Sequence, residues 1–123
     1  MRVFVAKGAA AGSTALLGER GREWPAVWQG DDPAEPGREY DIEVDIDGVA
    51  RWLPAEPEWS GIAGVNGAVV VSGVVASVDE DVFAVDLEPG LAVVDPVEDM
   101  PELRPGQRIR FAATSITVFP SNI

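Results

Sequence analysis

The chain has 123 residues, with no histidine or cysteine, and 21 acidic against 9 basic side chains give it a formal net charge of -12. That length suits one domain with a single core, while the missing imidazole and thiol remove the commonest general base, the usual zinc ligands, disulfides and the familiar nucleophilic triads. A field of this sign repels phosphate backbones and anionic membranes, so the expected partner is a basic protein, a polycation or a metal ion rather than nucleic acid or a lipid surface.

Glycine (13) and proline (10) punctuate short β-branched runs along the whole chain, the pattern of many strands joined by tight turns. In chain order the strand candidates are Arg2 to Lys7, Ser13 to Leu17, Glu23 to Trp28, Glu39 to Ile46, Val49 to Leu53, Ala68 to Val78, Val82 to Leu87, Leu91 to Val94, Gln107 to Ala113 and Ser115 to Phe119. No segment carries sustained helical periodicity. The expected fold is therefore all-β, a single small antiparallel barrel or a compact sandwich of about 8–10 short strands. Residues 1–123 read as one domain, with Ser60 to Gly67 as a flexible glycine-rich loop between its halves. Lys7 and the small polar residues behind it interrupt any apolar leader-like run, so Arg2 to Lys7 reads as the first strand of a cytoplasmic protein.

The sharpest pattern is Tyr40-Asp41-Ile42-Glu43-Val44-Asp45-Ile46-Asp47. Its alternation sets Tyr40, Ile42, Val44 and Ile46 on one strand face and the four acids on the other. Like charges two residues apart sit roughly 7 Å from each other, costing about 0.6 kcal/mol per pair in water before screening. Each buried apolar side chain returns about 1.5–3 kcal/mol, so the strand forms if the carboxylates stay wet. A solvated outer face is the ordinary meaning of such a ladder; it becomes functional when a cationic surface docks there. The turn after it is expected to be a three-residue loop, Ile46-Asp47-Gly48, with Gly48 in the left-handed conformation, pairing Arg51 with Glu43 and Trp52 with Ile42.

Pro36-Gly37 and Pro105-Gly106 each feed an alternating strand, the first with outward acids and the second with Arg108 and Arg110. Type II turn chemistry accounts for the echo, and the opposite signs suggest two neighbouring strands that partly neutralise each other. From Val71 onward, Ser72-Gly73-Val74-Val75-Ala76-Ser77-Val78, Val82-Phe83-Ala84-Val85-Asp86-Leu87, Leu103-Arg104-Pro105-Gly106-Gln107-Arg108-Ile109 and Ile116-Thr117-Val118 resemble the small barrels of the OB-like and TOBE type. The resemblance covers less than half the chain. It implies a barrel that in some relatives binds oligonucleotides or small oxyanions, but this chain lacks the basic, aromatic-studded strand face of nucleic-acid binders, so no site residue carries over.

Other motifs are weaker. Lys7 to Thr14 is glycine-rich but lacks the lysine of a phosphate loop and the helix behind it. Glu56-Pro57-Glu58-Trp59 offers two acids beside an aromatic, the raw material of a carboxylate hydrolase, in what reads as an exposed loop. Asp79-Glu80-Asp81 with Asp86 holds oxygen ligands of the kind calcium takes, without the spacing of a calcium loop, and reads as a charged hairpin tip. Of the four tryptophans, Trp24 and Trp28 share one strand face, whereas Trp59, flanked by acids and glycines, is the candidate for exposure.

These residues give a leading expectation of a non-enzymatic acidic barrel that binds or masks a basic protein, as an immunity protein or adaptor does, through Asp41, Glu43, Asp45, Asp47 and Trp59. The alternative is a barrel holding a small anion through Arg104, Arg108 and Arg110, and a carboxylate-based hydrolase is a third. No cofactor is implied, and an exposed edge strand is a route to a homodimer.

Overall fold

Alternating burial along the chain resolves into nine strands in a computed structural model, which describes residues 1–88, 90–95, 97–98 and 100–121. They are β1 (Arg2–Lys7), β2 (Thr14–Leu17), β3 (Trp24–Trp28), β4 (Glu39–Leu53), β5 (Gly61–Val65), β6 (Ala68–Asp79), β7 (Val82–Asp86), β8 (Leu91–Val94) and β9 (Arg108–Pro120). No helix among the described residues is long and apolar enough to cross a membrane. All nine strands belong to one sheet of order β1-β2-β3-β9-β4-β8-β7-β6-β5, and the further pairings β1–β4 and β9–β6 close it on itself. The all-β architecture expected from the sequence is the one that forms, and its ring-like closure is consistent with either a small barrel or a compact sandwich. Its sheet is mixed rather than purely antiparallel, because β3–β9 and β4–β8 run parallel.

The pairings make two circuits, β1-β2-β3-β9-β4 and β4-β8-β7-β6-β9, that share the long β4–β9 ladder from Ile42↔Pro120 to Leu53↔Arg110. Closure removes most open edges, and among the described residues β5 alone has a single partner strand. One buried cluster fills the interior, with Trp24, Trp28, Phe83 and Phe111 as its largest members. Trp24 and Trp28 share the inner face of β3, as their spacing requires. Trp52 is half-buried, its ring 6.0 Å from that of Phe83 and 5.6 Å from that of Phe111. Tyr40 sets its ring edge-on to Trp28 at 4.9 Å.

Three sequence expectations need correction. Asp47-Gly48 is not a hairpin loop: Gly48 takes φ 80°, the left-handed conformation expected of it, yet β4 continues through it to Leu53. Arg51 therefore pairs with Ala112 and Trp52 with Phe111, not with Glu43 and Ile42, and the extra residue of a bulge falls between Val49 and Arg51. The cause is non-local. β9 is long enough to pair with both halves of β4, so Gly48 bends a strand instead of reversing it. The same ladder joins the separate candidates Gln107 to Ala113 and Ser115 to Phe119 into β9. Finally, where a loop was expected at residues 60–67, the chain forms β5 and an Asn66-Gly67 turn with φ of 50° and 80°, leading into β6. An Asn-Gly pair between apolar residues is a hairpin signal in its own right.

Candidate functional site: an acidic sheet face and an adjoining cleft

Asp41, Glu43, Asp45 and Asp47 all point outward from β4, while Ile42, Val44 and Ile46 are buried behind them. The four rungs are not equivalent. Arg2 on β1 reaches Glu39 at 3.0 Å and Asp41 at 3.3 Å, and the Glu39 hydrogen bond, followed by the charges of Asp41 and Glu39, holds its guanidinium further above its ordinary pKa. Asp47 accepts the Ser115 hydroxyl at 3.1 Å and, more weakly, that of Thr117 at 3.5 Å. Among the described residues, Glu43 and Asp45 form no side-chain hydrogen bond or ion pair. They are the two carboxylates left free in the middle of the face.

Cross-strand register decides what surrounds them. One row runs Ala84, Val93, Asp45, Thr117, Val27 across β7, β8, β4, β9 and β3. In the next row Glu43 stands opposite Phe119, and Leu91, two residues before Val93, lies on the same face of β8. Leu91, Val93 and Phe119 are 59%, 44% and 39% exposed, and Phe4, opposite Glu39, is 44% exposed. Three of the five exposed large hydrophobics of the described residues thus border the ladder, and Phe4 lies just beyond its end. The sequence reading missed them and saw a purely anionic stripe. The signal was present in Leu91-Ala92-Val93-Val94, an alternation with no polar face at all.

The strand that carries Arg108 and Arg110 does pair with the acidic strand, but the antiparallel register sets Arg110 opposite Leu53, at the end remote from Glu43 and Asp45. No neutralisation of the free rungs follows from it. Arg108 donates to the carbonyls of Glu56 (3.0 Å) and Trp59 (2.9 Å) and to the Ser60 hydroxyl (3.3 Å), so it clamps the segment before β5. Arg104 lies 3.6 Å from Glu102 beside a shallow depression. Neither Arg108 nor Arg110 lines that depression, whose walls are Glu102, Arg104, Pro105 and Gln107.

Trp59 is half-buried. Its carbonyl accepts from Ser72 as well as Arg108, and the Arg22 guanidinium lies 4.9 Å from its ring centre. It lines a cleft of about 430 Å³ between the start of β1 and β5, which touches the acidic strand at Glu39 alone. Glu19, Glu39 and Glu88 border this cleft, whereas Glu56 and Glu58 do not. Glu80, at φ 52°, makes the tight turn between β6 and β7, and Asp86 accepts the Glu88 N–H at 2.9 Å. No grouping of three or more acidic side chains suited to a metal ion occurs among the described residues.

No protein-family model, curated protein or solved structure matches this chain. The site therefore rests on its own geometry.

Proposed function

We propose that this protein is a non-enzymatic docking module, of the immunity-protein or adaptor kind, whose outer β4 face covers a basic surface of another protein. The observation that carries the reading is the pair of unpartnered carboxylates, Glu43 and Asp45, set among exposed Leu91, Val93 and Phe119. Wet carboxylates alone are ordinary surface. Acids interleaved with large exposed apolar side chains make a face that offers area to bury together with charges that steer and select a cationic partner. The net charge of -12 adds long-range attraction for the same class of partner.

A low-salt pull-down from native lysate, run in parallel with the wild-type chain and the double variant Glu43→Gln/Asp45→Asn, tests this. Basic proteins should be retained by the wild type, released by moderate salt and lost with the variant. A captured set without basic proteins, or one that the variant retains equally, refutes the reading.

A further inference from the structure

We infer that the cleft between β1 and β5 is a slot for an extended segment of the partner, which adds as a strand between the two edges. Met1 and Ile42 exchange both main-chain bonds, at 2.7 and 3.1 Å. Alternation along that antiparallel ladder then turns the N–H and C=O of Arg2 away from β4. On that other side β2 reaches no further toward the start of β1 than the Gly18 N–H on the Phe4 carbonyl, at 2.8 Å. Across the cleft, Gly64 donates its N–H to the Arg22 carbonyl at 2.9 Å, away from β6. Ile62, two residues earlier, therefore turns its N–H and C=O the same way. Arg2 and Ile62 both line the cleft, and no pairing joins β1 to β5 among the described residues.

Among the described residues neither Arg2 nor Ile62 has a main-chain partner on that side; unpaired main chain on a strand edge is a template for another strand, and here two such edges border one opening. Beyond the lining residues of β5, Gly64 is held so near the Glu23 carbonyl that a Cβ would overlap it, so β5 and the segment before β3 already meet there; Leu87 and Glu88 also line the cleft.

The lining also selects side chains. Val3, Ala63 and Trp24, all buried, contribute apolar surface to the lining. Glu19, Glu39 and Glu88 share that lining with two cations already engaged, Arg2 by Glu39 and Asp41, and Arg22 by the Trp59 ring. The occupant is accordingly a segment alternating apolar with lysine or arginine. The choice of basic residues rests on the proposed basic partner; the strand geometry does not.

A hexapeptide of alternating valine and lysine, acetylated and amidated at its ends, is the probe, read by amide chemical-shift changes on the labelled full chain. Shifts should centre on Arg2 and Ile62. N-methylation of alternate peptide nitrogens should weaken binding ten-fold or more. Ile62→Pro removes the donor facing the cleft without touching the β6 ladder, and it should do the same. Glu43→Gln/Asp45→Asn should leave the shifts at Arg2 and Ile62 in place. Strand addition is overturned if no shifts appear there, if the N-methylated peptide binds equally, or if the shifts sit on β4 and β8 and vanish in the double variant. It is equally overturned if the free chain is a dimer that Ile62→Pro dissolves, since a second copy then fills the slot. An alternating valine–glutamate peptide that binds as tightly supports strand addition and overturns the basic-partner reading.

Discussion

Replacing Asp45 by asparagine separates a functional ladder from a structural one, because the two make opposite demands on stability. Asp45 stands between Glu43 and Asp47 on the same face, each roughly 7 Å away. In water each neighbour costs about 0.6 kcal/mol, and screening at physiological salt reduces the two together to about 0.5 kcal/mol. No ion pair or side-chain hydrogen bond of Asp45 among the described residues offsets that repulsion. Asp45→Asn should therefore raise unfolding stability by about 1 kcal/mol at low salt, the gain shrinking to about 0.5 kcal/mol at physiological salt. Asp47→Asn should gain less, because it also weakens the bonds from Ser115 and Thr117. Urea unfolding followed by tryptophan fluorescence at several salt concentrations measures both. A loss of more than 1 kcal/mol for Asp45→Asn would mean that the carboxylate is held by the fold, and the argument that Glu43 and Asp45 are free for a partner would fail. A gain in stability together with a loss of basic-protein binding is the expected signature of acids kept for function at the expense of stability.

Four further outcomes follow from the same geometry. Phe83→Ala empties the contact with Trp52 and Phe111 and should cost about 3–5 kcal/mol, lowering the thermal midpoint by roughly 10–20 °C in a scanning-calorimetry measurement; a shift under 3 °C would contradict this packing. Gly64→Ala drives a Cβ into the Glu23 carbonyl and displaces the bond to Arg22, so it should destabilise by about 1–3 kcal/mol and speed amide exchange along β5, whereas Gly67→Ala has open space and is strained only by its φ of 80°. Arg108→Ala frees the carbonyl of Glu56 and removes one of the two donors to that of Trp59, and it should red-shift the tryptophan emission; an unchanged spectrum would mean that the clamp is dispensable. The nearby main-chain N–H groups of Glu23 itself and of Gly21 hold the Glu23 carboxyl below the ordinary glutamate range. The stability this lends is present above the unfolded-state value and lost as pH falls through the lower folded-state value, so Glu23→Gln should flatten the acid side of a stability-against-pH curve and leave its neutral side parallel to wild type.

Local pattern made most of the fold legible. β1 and β8 occupy the bounds their alternation predicts, and the outward acids with buried Ile42, Val44 and Ile46 follow from period two alone. The errors concentrate where partner length, not local chemistry, decides. Asp47-Gly48 satisfies the composition of a hairpin turn, and nothing local reports that β9 will supply partners on both sides of it. At residues 60–67 the reverse happened. Glycine content suggested a loop, but Gly61 and Gly64 are strand residues whose bare Cα positions let Trp59 and the Glu23 carbonyl approach closely.

The site shows the same division more sharply. Reading along β4 yields the ladder, but what distinguishes it from a solvated face lies across the strands, where β8 and β9 set Val93, Leu91 and Phe119 beside Glu43 and Asp45. Those residues come from segments about 50 and 75 positions downstream, and only the parallel β4–β8 register and the antiparallel β4–β9 register make them neighbours. The same registers dispose of the arginines. Opposite signs on the two strands predict neutralisation, yet the direction of their ladder carries Arg110 to Leu53 and leaves Glu43 facing Phe119. Had β9 paired with β4 in parallel, the basic end of β9 would lie beside the acids and the face would have no free charge to offer. The direction of one strand pairing therefore decides whether these acids are spent within the fold or left free for a partner.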